Sequence, residues 1–389
     1  MASSLSHKFF QTIDGRKIEL AISITSGLVS VGLLYINPGE KPLVLASKKQ
    51  EVPFGYNPQP QEIKKRVLVI LDSLLKGFVS EITQMYLLND LYDAHQVIHR
   101  VSVSLSPLWL ETETKKHDRT YPKTQVITKK HLDEILESEN TKELIDVSIR
   151  SVQVNGYPIE PDAVIGIETP DIQITADYSY LDRNTHDVLS DTITKHFGIH
   201  DIDRISFIPT DNVLMLAISE LYGSLEQYSL IYFDAEDTTI ITQASDQPLE
   251  SKTITYGRAE LKRQCIQEKI APNFSQTQDV LRAYFAGSLE DSLSEKVSYV
   301  LSVEGQVLAS AIQEVIKIKT PLFVISEKNG ALFITRNTVE YIDDLSGVTE
   351  ITAQDFISYV QSAGSFVSPS IELLALFVYI THGKTHVTS

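Results

Sequence analysis

The stretch Leu230–Gln243, LIYFDAEDTTIITQ, places three acids, Asp234, Glu236 and Asp237, next to Thr238 and Thr239, between two apolar runs. A strand, tight turn and second strand of this kind can offer backbone N–H groups and threonine hydroxyls to a phosphate. That chemistry favours glycine in the turn, because phosphate oxygens must reach the amides and side chains obstruct them. Here the turn carries side chains, and acidic ones. Two carboxylates in it would repel a triphosphate by on the order of a few kcal/mol at the effective dielectric of a partly buried site.

Two histidine pairs also have useful spacing. His95 and His99, and His196 and His200 with Asp201 and Asp203 nearby, stand four positions apart, as two imidazoles on one helix face would for a metal. Gly198 is expected to end a helix inside the second pair, and no glutamate accompanies the first as a base, so both are read as structural and no metal site is expected. No Gly-x-Ser-x-Gly elbow, Walker lysine loop or dinucleotide glycine run is present, so hydrolase and dinucleotide readings have no anchor. The single cysteine, Cys265, excludes an intramolecular disulfide and a cysteine metal cluster, which suits a reducing compartment.

At 389 residues the chain exceeds one ordinary core, and two or more lobes are expected. A formal net charge of −17 disfavours nucleic acid as a partner. No run of about 18 apolar residues signals a transmembrane segment, and the N-terminus lacks a signal-peptide pattern, so a cytoplasmic protein is expected. The apolar stretch Leu373–Ile380 is too short to span and reads as a core helix.

The elements that must position the acidic turn follow from periodicity. A hairpin over Ile18–Tyr35 turns at Thr25-Ser26-Gly27, a strand covers Pro42–Lys48 and a helix runs from about Gln61 to Phe78. Residues from about 98 to 172 have a different texture: the strand VIHRVSVSL, a helix capped by Thr128, and an Asn155-Gly156 hairpin turn. After them come a strand IQITADYSYL, a helix Thr185–Phe197, a strand ISFIP and a helix Asn212–Tyr222. The acidic hairpin follows, then a strand Leu249–Thr255 and a helix starting at Gly257-Arg258. Helical segments run to about Val300, a further helix covers Gly305–Lys319, and the strand PLFVIS closes the series. Two halves that each open with a hairpin suggest a duplication at the level of fold. Trp109 is read as core of the inserted segment, with an exposed interaction anchor as the alternative.

This order of elements resembles the actin-like ATPase superfamily, and within it the bacterial cell-division protein FtsA and the pilus-assembly protein PilM. The inserted segment is the most similar part: RVSVSLSPLWL, YPKTQVITKKHLDEILES and VSIRSVQVNGYPIEP. The resemblance implies an α/β, two-lobed, ribonuclease H-like fold with a small α+β subdomain inserted in the first lobe. It implies a first lobe over 1–97 and 173–224, an insertion over 98–172, and a second lobe over 225–389 with a shortened helical subdomain at 257–303.

The resemblance also implies a nucleotide cleft, built here from altered residues. In the first phosphate hairpin the family's aspartate, which helps organise magnesium and the attacking water, corresponds to Ser23, followed by Thr25 and Ser26. In the second hairpin, alignment on Thr238-Thr239 places Phe233 at the family's aspartate and Ala235, Glu236 and Asp237 at its glycines; a one-residue gap places Asp234 at the acid instead. Of a usual double glycine only Gly257 is kept, Ser326 stands in the adenosine turn, and Asp279 with Arg282 replaces a Glu/Lys pair. The expectation is an FtsA-like scaffold with lost or weakened ATP binding, in contact with other proteins of a membrane-associated division or pilus machine, with self-association open. No cofactor is expected. The alternatives are a functional ATPase using ATP and magnesium, or a PilM-like pilus assembly protein.

Overall fold

Apolar runs without polar alternation make strands that can be buried on both faces, and this chain spends them in two sheets of the same topology. In the first, β1 (Lys17–Ile24) and β2 (Leu28–Ile36) form the hairpin expected around Thr25-Ser26-Gly27. Strand β3 (Leu43–Glu51) joins β2 antiparallel, β4 (Ile98–Leu105) joins β1 parallel, and β9 (Ile205–Pro209) joins β4 parallel. The second sheet repeats the scheme with β10 (Tyr228–Phe233) at its centre, β11 (Thr238–Gln243) and β12 (Glu250–Ile254) antiparallel on one side, and β13 (Thr320–Ser326) and β14 (Leu345–Glu350) parallel on the other. The suspected duplication is therefore visible as strand order. The structure is a computed structural model describing residues 17–37, 39–56, 59–88, 98–136, 143–159, 163–199, 204–223, 225, 227–243, 250–316, 320–326, 328–343, 345–362 and 369–383.

Helix α1 (Pro60–Leu88) runs ten residues past the expected end and buries Ile63, Val67, Leu71, Leu74, Leu75 and Phe78 in the first-lobe core. The third sheet, in the order β5-β8-β6-β7, comprises β5 (Leu110–Val126), β6 (Glu143–Val154), β7 (Tyr157–Ile159) and β8 (Glu168–Leu181). It carries α2 (Lys129–Leu136) and its own core around Ile174, Ala176 and Tyr178. Asn155 and Gly156 turn β6 into β7 with φ of 53° and 81°, the left-handed pair that an Asn-Gly turn supplies. The Thr128 hydroxyl accepts from the His131 N–H as an N-cap.

Four expectations need correction. The boundary at 98 is too early, because β4 belongs to the first-lobe sheet; the insertion's own sheet spans Leu110–Leu181, well past 172. Trp109 is buried, but in the first-lobe core rather than the insertion's. The break expected between Val300 and Gly305 does not exist, since α7 (Asp291–Gln313) is continuous. A Cβ on Gly305 would lie 1.8 Å from the Asn337 carbonyl oxygen, so this glycine serves close packing rather than helix termination. The last residues are not purely second lobe: β15 (Gln361–Ser362) pairs with β3. Likewise α9 (Pro369–Val378) packs in a core shared by Ala21 and Leu34 of the first sheet and Leu230 and Phe323 of the second.

Candidate functional site

The two central hairpins point their turns at one another, and the turns are bonded together. The Ser26 N–H donates to Asp234 Oδ2 at 2.9 Å and the Ser26 hydroxyl donates to the same oxygen at 2.7 Å. The Glu236 N–H in turn donates to Ser26 Oγ at 3.1 Å. A Cβ on Gly27 would meet Ala235 Cβ at 2.3 Å, so the contact exists only because residue 27 is glycine. The first turn holds itself in shape through Thr25, whose hydroxyl donates to the Leu28 carbonyl at 3.2 Å and accepts from the Leu28 N–H at 3.0 Å.

The second turn is capped from behind by α5 (Arg258–Gln267). Its first amides are spent on the turn's carbonyls: Arg258 N–H to Asp234 O at 2.9 Å and Ala259 N–H to Ala235 O at 2.7 Å. Gly257, the residue before α5, lies so close that a Cβ would sit 2.4 Å from the Ala235 carbonyl oxygen. The helix also brings bases to the acids. Arg258 faces Asp234 at 3.7 Å, and Arg263 joins Glu236 at 2.7 Å, Glu260 at 2.8 Å and the Gly55 carbonyl at 3.3 Å. Glu236 is thus neutralised by a buried partner, and charge repulsion of an anion is weaker here than three bare acids would give.

Asp237 differs from its neighbours. It is buried, and neither carboxylate oxygen accepts a hydrogen bond among the described residues. Burial, then the charge of Asp234, pushes its carboxyl up to about 8, against partial relief from the nearby Ser26 hydroxyl.

A strap from the first lobe closes the side of the seam. The Val52 N–H donates to the Gly27 carbonyl at 2.9 Å, and Phe54 lies under the Lys262 ammonium at 3.8 Å from its ring centroid. Tyr56 and Phe54 both pack on Phe274, the first residue of α6 (Phe274–Phe285). Burial, then Arg258, lowers Lys262 to about 8. A small cavity beside the turns, lined by residues that include Leu28, Phe233, Asp234, Arg258 and Ser326, is about 10 Å³. That is room for about one water, against roughly 300–1,000 Å³ for a drug-sized ligand.

The remaining expected site residues divide between the seam and elsewhere. Ser23 is buried in β1 opposite Ser30 and Ser104, just before the turn. Thr238 donates to the Tyr256 carbonyl at 2.6 Å and Thr239 meets the Thr253 hydroxyl at 3.3 Å, so both hydroxyls are engaged. Ser326 donates to the Phe233 carbonyl at 2.6 Å; Gly330, in α8 (Lys328–Phe333), packs so tightly that a Cβ would meet the Ser326 hydroxyl at 2.2 Å. Asp279 is not brought to the seam: it is exposed on α6 and pairs with Arg282 at 3.2 Å. Arg258, Arg263, Lys262 and Phe54 were not anticipated. The signal available for them is the run of bases in RAELKR, complementary to the acids of DAED.

The histidines are structural where described. His99 Nδ1 accepts from the Ile18 N–H at 3.4 Å, and His196 meets Asp72 at 2.8 Å. His95, His200, Asp201 and Asp203 lie outside the described residues. Among the described residues no group of three His, Cys, Asp or Glu side chains could hold a metal, and no helix is long and apolar enough to cross a membrane.

A second cavity, of about 490 Å³, lies where the insertion meets the first lobe. It is bounded by Ile145, Asp146 and Ser148 of β6, Phe207 of β9, and Asn212 and Met215 of α4 (Thr210–Tyr222). Burial raises the Asp146 carboxyl, which accepts from the Asn212 amide at 2.7 Å.

Two sheets of matching topology, hairpin turns facing across a seam and an α+β insertion in the first lobe define a two-lobed actin-like fold, and the chain has it. Among solved structures it is similar to the "PilM-PilN type IV pilus biogenesis complex", with a TM-score of 0.56 and 12% identity over 94% of this chain and 99% of that one. The ethanolamine utilization protein EutJ from Carboxydothermus hydrogenoformans matches with a TM-score of 0.40 and 11% identity over 92% and 89%. A Bacteroides thetaiotaomicron protein of actin-like ATPase fold matches with a TM-score of 0.34 and 9% identity over 86% and 91%. No family model matches the chain, and no curated protein matches it.

Proposed function

We propose that this chain is a non-catalytic actin-fold scaffold whose nucleotide cleft is filled by its own side chains and whose work is to hold another protein. The observation that carries this is the double hydrogen bond from Ser26 to Asp234. A carboxylate supplied by the second turn takes the donors of the first, as a phosphate oxygen otherwise would, and Gly27, Ala235 and Gly257 leave no space between them. ATP with magnesium would have to break this contact before binding, which costs affinity.

The assembly is proposed to be of the pilus type rather than the division type, because one solved structure similar over nearly the full chain, at a TM-score of 0.56, is of a complex, PilM-PilN, in type IV pilus biogenesis. The groove of about 490 Å³ beside the insertion is the proposed seat of the partner, since it combines apolar walls at Phe207 and Met215 with polar anchors at Asp146 and Asn212. A photo-crosslinking residue placed at Ser148 or Met215 in native cells is expected to capture the same discrete polypeptide from both positions, and none from the exposed Asp279 position. Capture of nothing at the groove, or equal capture at all three, would contradict the proposal.

A further inference from the structure

We propose that Asp237 is a proton-operated latch on the seam between the lobes: in its neutral form it lets the two hairpin turns stay joined, and its ionisation favours their separation. The inference rests on the same contact between turns as the proposed function, but its test reads the lobes themselves, with neither nucleotide nor partner present.

The geometry gives an ionised Asp237 nowhere to go. Its residue is 5% exposed and both carboxylate oxygens lack hydrogen-bond partners among the described residues. The backbone around it is fixed: the Asp234 N–H donates to the Asp237 carbonyl at 3.0 Å, and the Asp237 N–H lies 2.7 Å from where a Cβ on Gly257 would stand. The groups facing it are Asp234 and Glu236 of its own turn, Tyr232 of β10 and the Ser26 hydroxyl of the opposite lobe. The cations nearby on α5 are engaged with other acids, Arg258 with Asp234 and Arg263 with Glu236 and Glu260. A negative charge at Asp237 is therefore relieved by opening the seam to water.

Closed, the carboxyl is held up to about 8, by burial first and Asp234 second. In an opened, hydrated turn it returns to the ordinary range of about 4. Between those values the closed form keeps a proton that the open form releases, so rising pH favours opening by up to about tenfold per pH unit. The latch is tightest below about pH 4, loosens progressively, and changes no further above about pH 8.

Spin labels at Val69→Cys on α1 and Tyr299→Cys on α7, both 69% exposed in the native chain, report the distance between the lobes. From about pH 5.5 to 8, the population at longer distance is expected to grow and then level off, while Asp237→Asn, which cannot ionise, shows no such growth. A flat profile in the chain that keeps Asp237, or the same rise in Asp237→Asn, would overturn the proposal. If Asp237→Asn does not fold, hydrogen exchange at the Ser26 and Glu236 amides of the unsubstituted chain decides. Corrected for intrinsic chemistry, protection there is expected to fall over the same interval, and constant protection would overturn it.

Discussion

Ser26 and Asp234, 208 positions apart in sequence, meet so that one carboxylate oxygen receives both the backbone N–H and the hydroxyl of the serine, at 2.9 and 2.7 Å. Each comes from the turn of a different lobe, so this small contact joins the two lobes at their hairpin turns. Its energetic weight follows from burial: both residues are almost fully enclosed, so breaking the pair strands donors without water to replace the lost acceptor.

Asp234→Ala removes the acceptor for both Ser26 donors and leaves Arg258 without its acid. Urea unfolding is expected to show a loss of roughly 2–4 kcal/mol, from unsatisfied buried donors and an unpaired buried charge. Asp234→Asn keeps an oxygen acceptor and is expected to lose about 1 kcal/mol. Equal stability of Asp234→Ala and the native chain would show that the turns do not depend on each other.

Gly27→Ala drives a methyl group to 2.3 Å from Ala235 Cβ. Overpacking of this kind costs about 1–3 kcal/mol. Removing the opposing methyl with Ala235→Gly is expected to restore part of that loss, so the double variant should be more stable than the sum of the singles predicts. Strict additivity in the double-mutant cycle would mean the two residues do not touch.

Arg263 ties α5 to the second turn through Glu236 and to the strap through the Gly55 carbonyl. Arg263→Ala leaves Glu236 buried and unpaired, with an expected loss of about 3 kcal/mol on chemical denaturation. Adding Glu236→Gln should recover a measurable part of it; no recovery would place the cost elsewhere.

Glu111 and Tyr180 are paired across β5 and β8, so the insertion leaves and re-enters the first lobe at neighbouring points. Replacing 111–180 by a short Gly/Ser linker is expected to leave both lobes folded by circular dichroism, because the excised sheet has its own core and Trp109 and Leu181 remain in the lobe's. Partner capture at Met215 should disappear. A variant that unfolds would show that the insertion is needed to complete the first lobe.

Much of the frame was legible in sequence because its strands are uninterrupted apolar runs and its turns carry telling residues, such as Thr25-Ser26-Gly27 and Asn155-Gly156. What escaped has identifiable causes. Strand β5 reads LETETKKHDRTYPKTQV, with no apolar alternation, because it is an edge strand largely exposed along its length; pairing with β8 defines it. Gly305 imitates a helix stop while its real role is the approach of the Asn337 backbone. At the seam, sequence supplied the acids and Ser26 but not the bases that pair with the acids, since Arg258 and Arg263 reach the turn only through tertiary packing. Alignment left Phe233 and Asp234 as alternatives for one position, and the contact with Ser26 shows which side chain faces the opposite lobe.

Whether the chain fills its own nucleotide cleft, as proposed, is read by thermal unfolding with and without millimolar ATP and magnesium. A ligand that binds only the folded state at 100 times its dissociation constant adds about 2.7 kcal/mol of stability, which such a measurement detects readily. A filled cleft gives superimposable unfolding curves. A clear ATP-dependent rise in midpoint for the native chain, abolished by replacing residues of the seam, would contradict it.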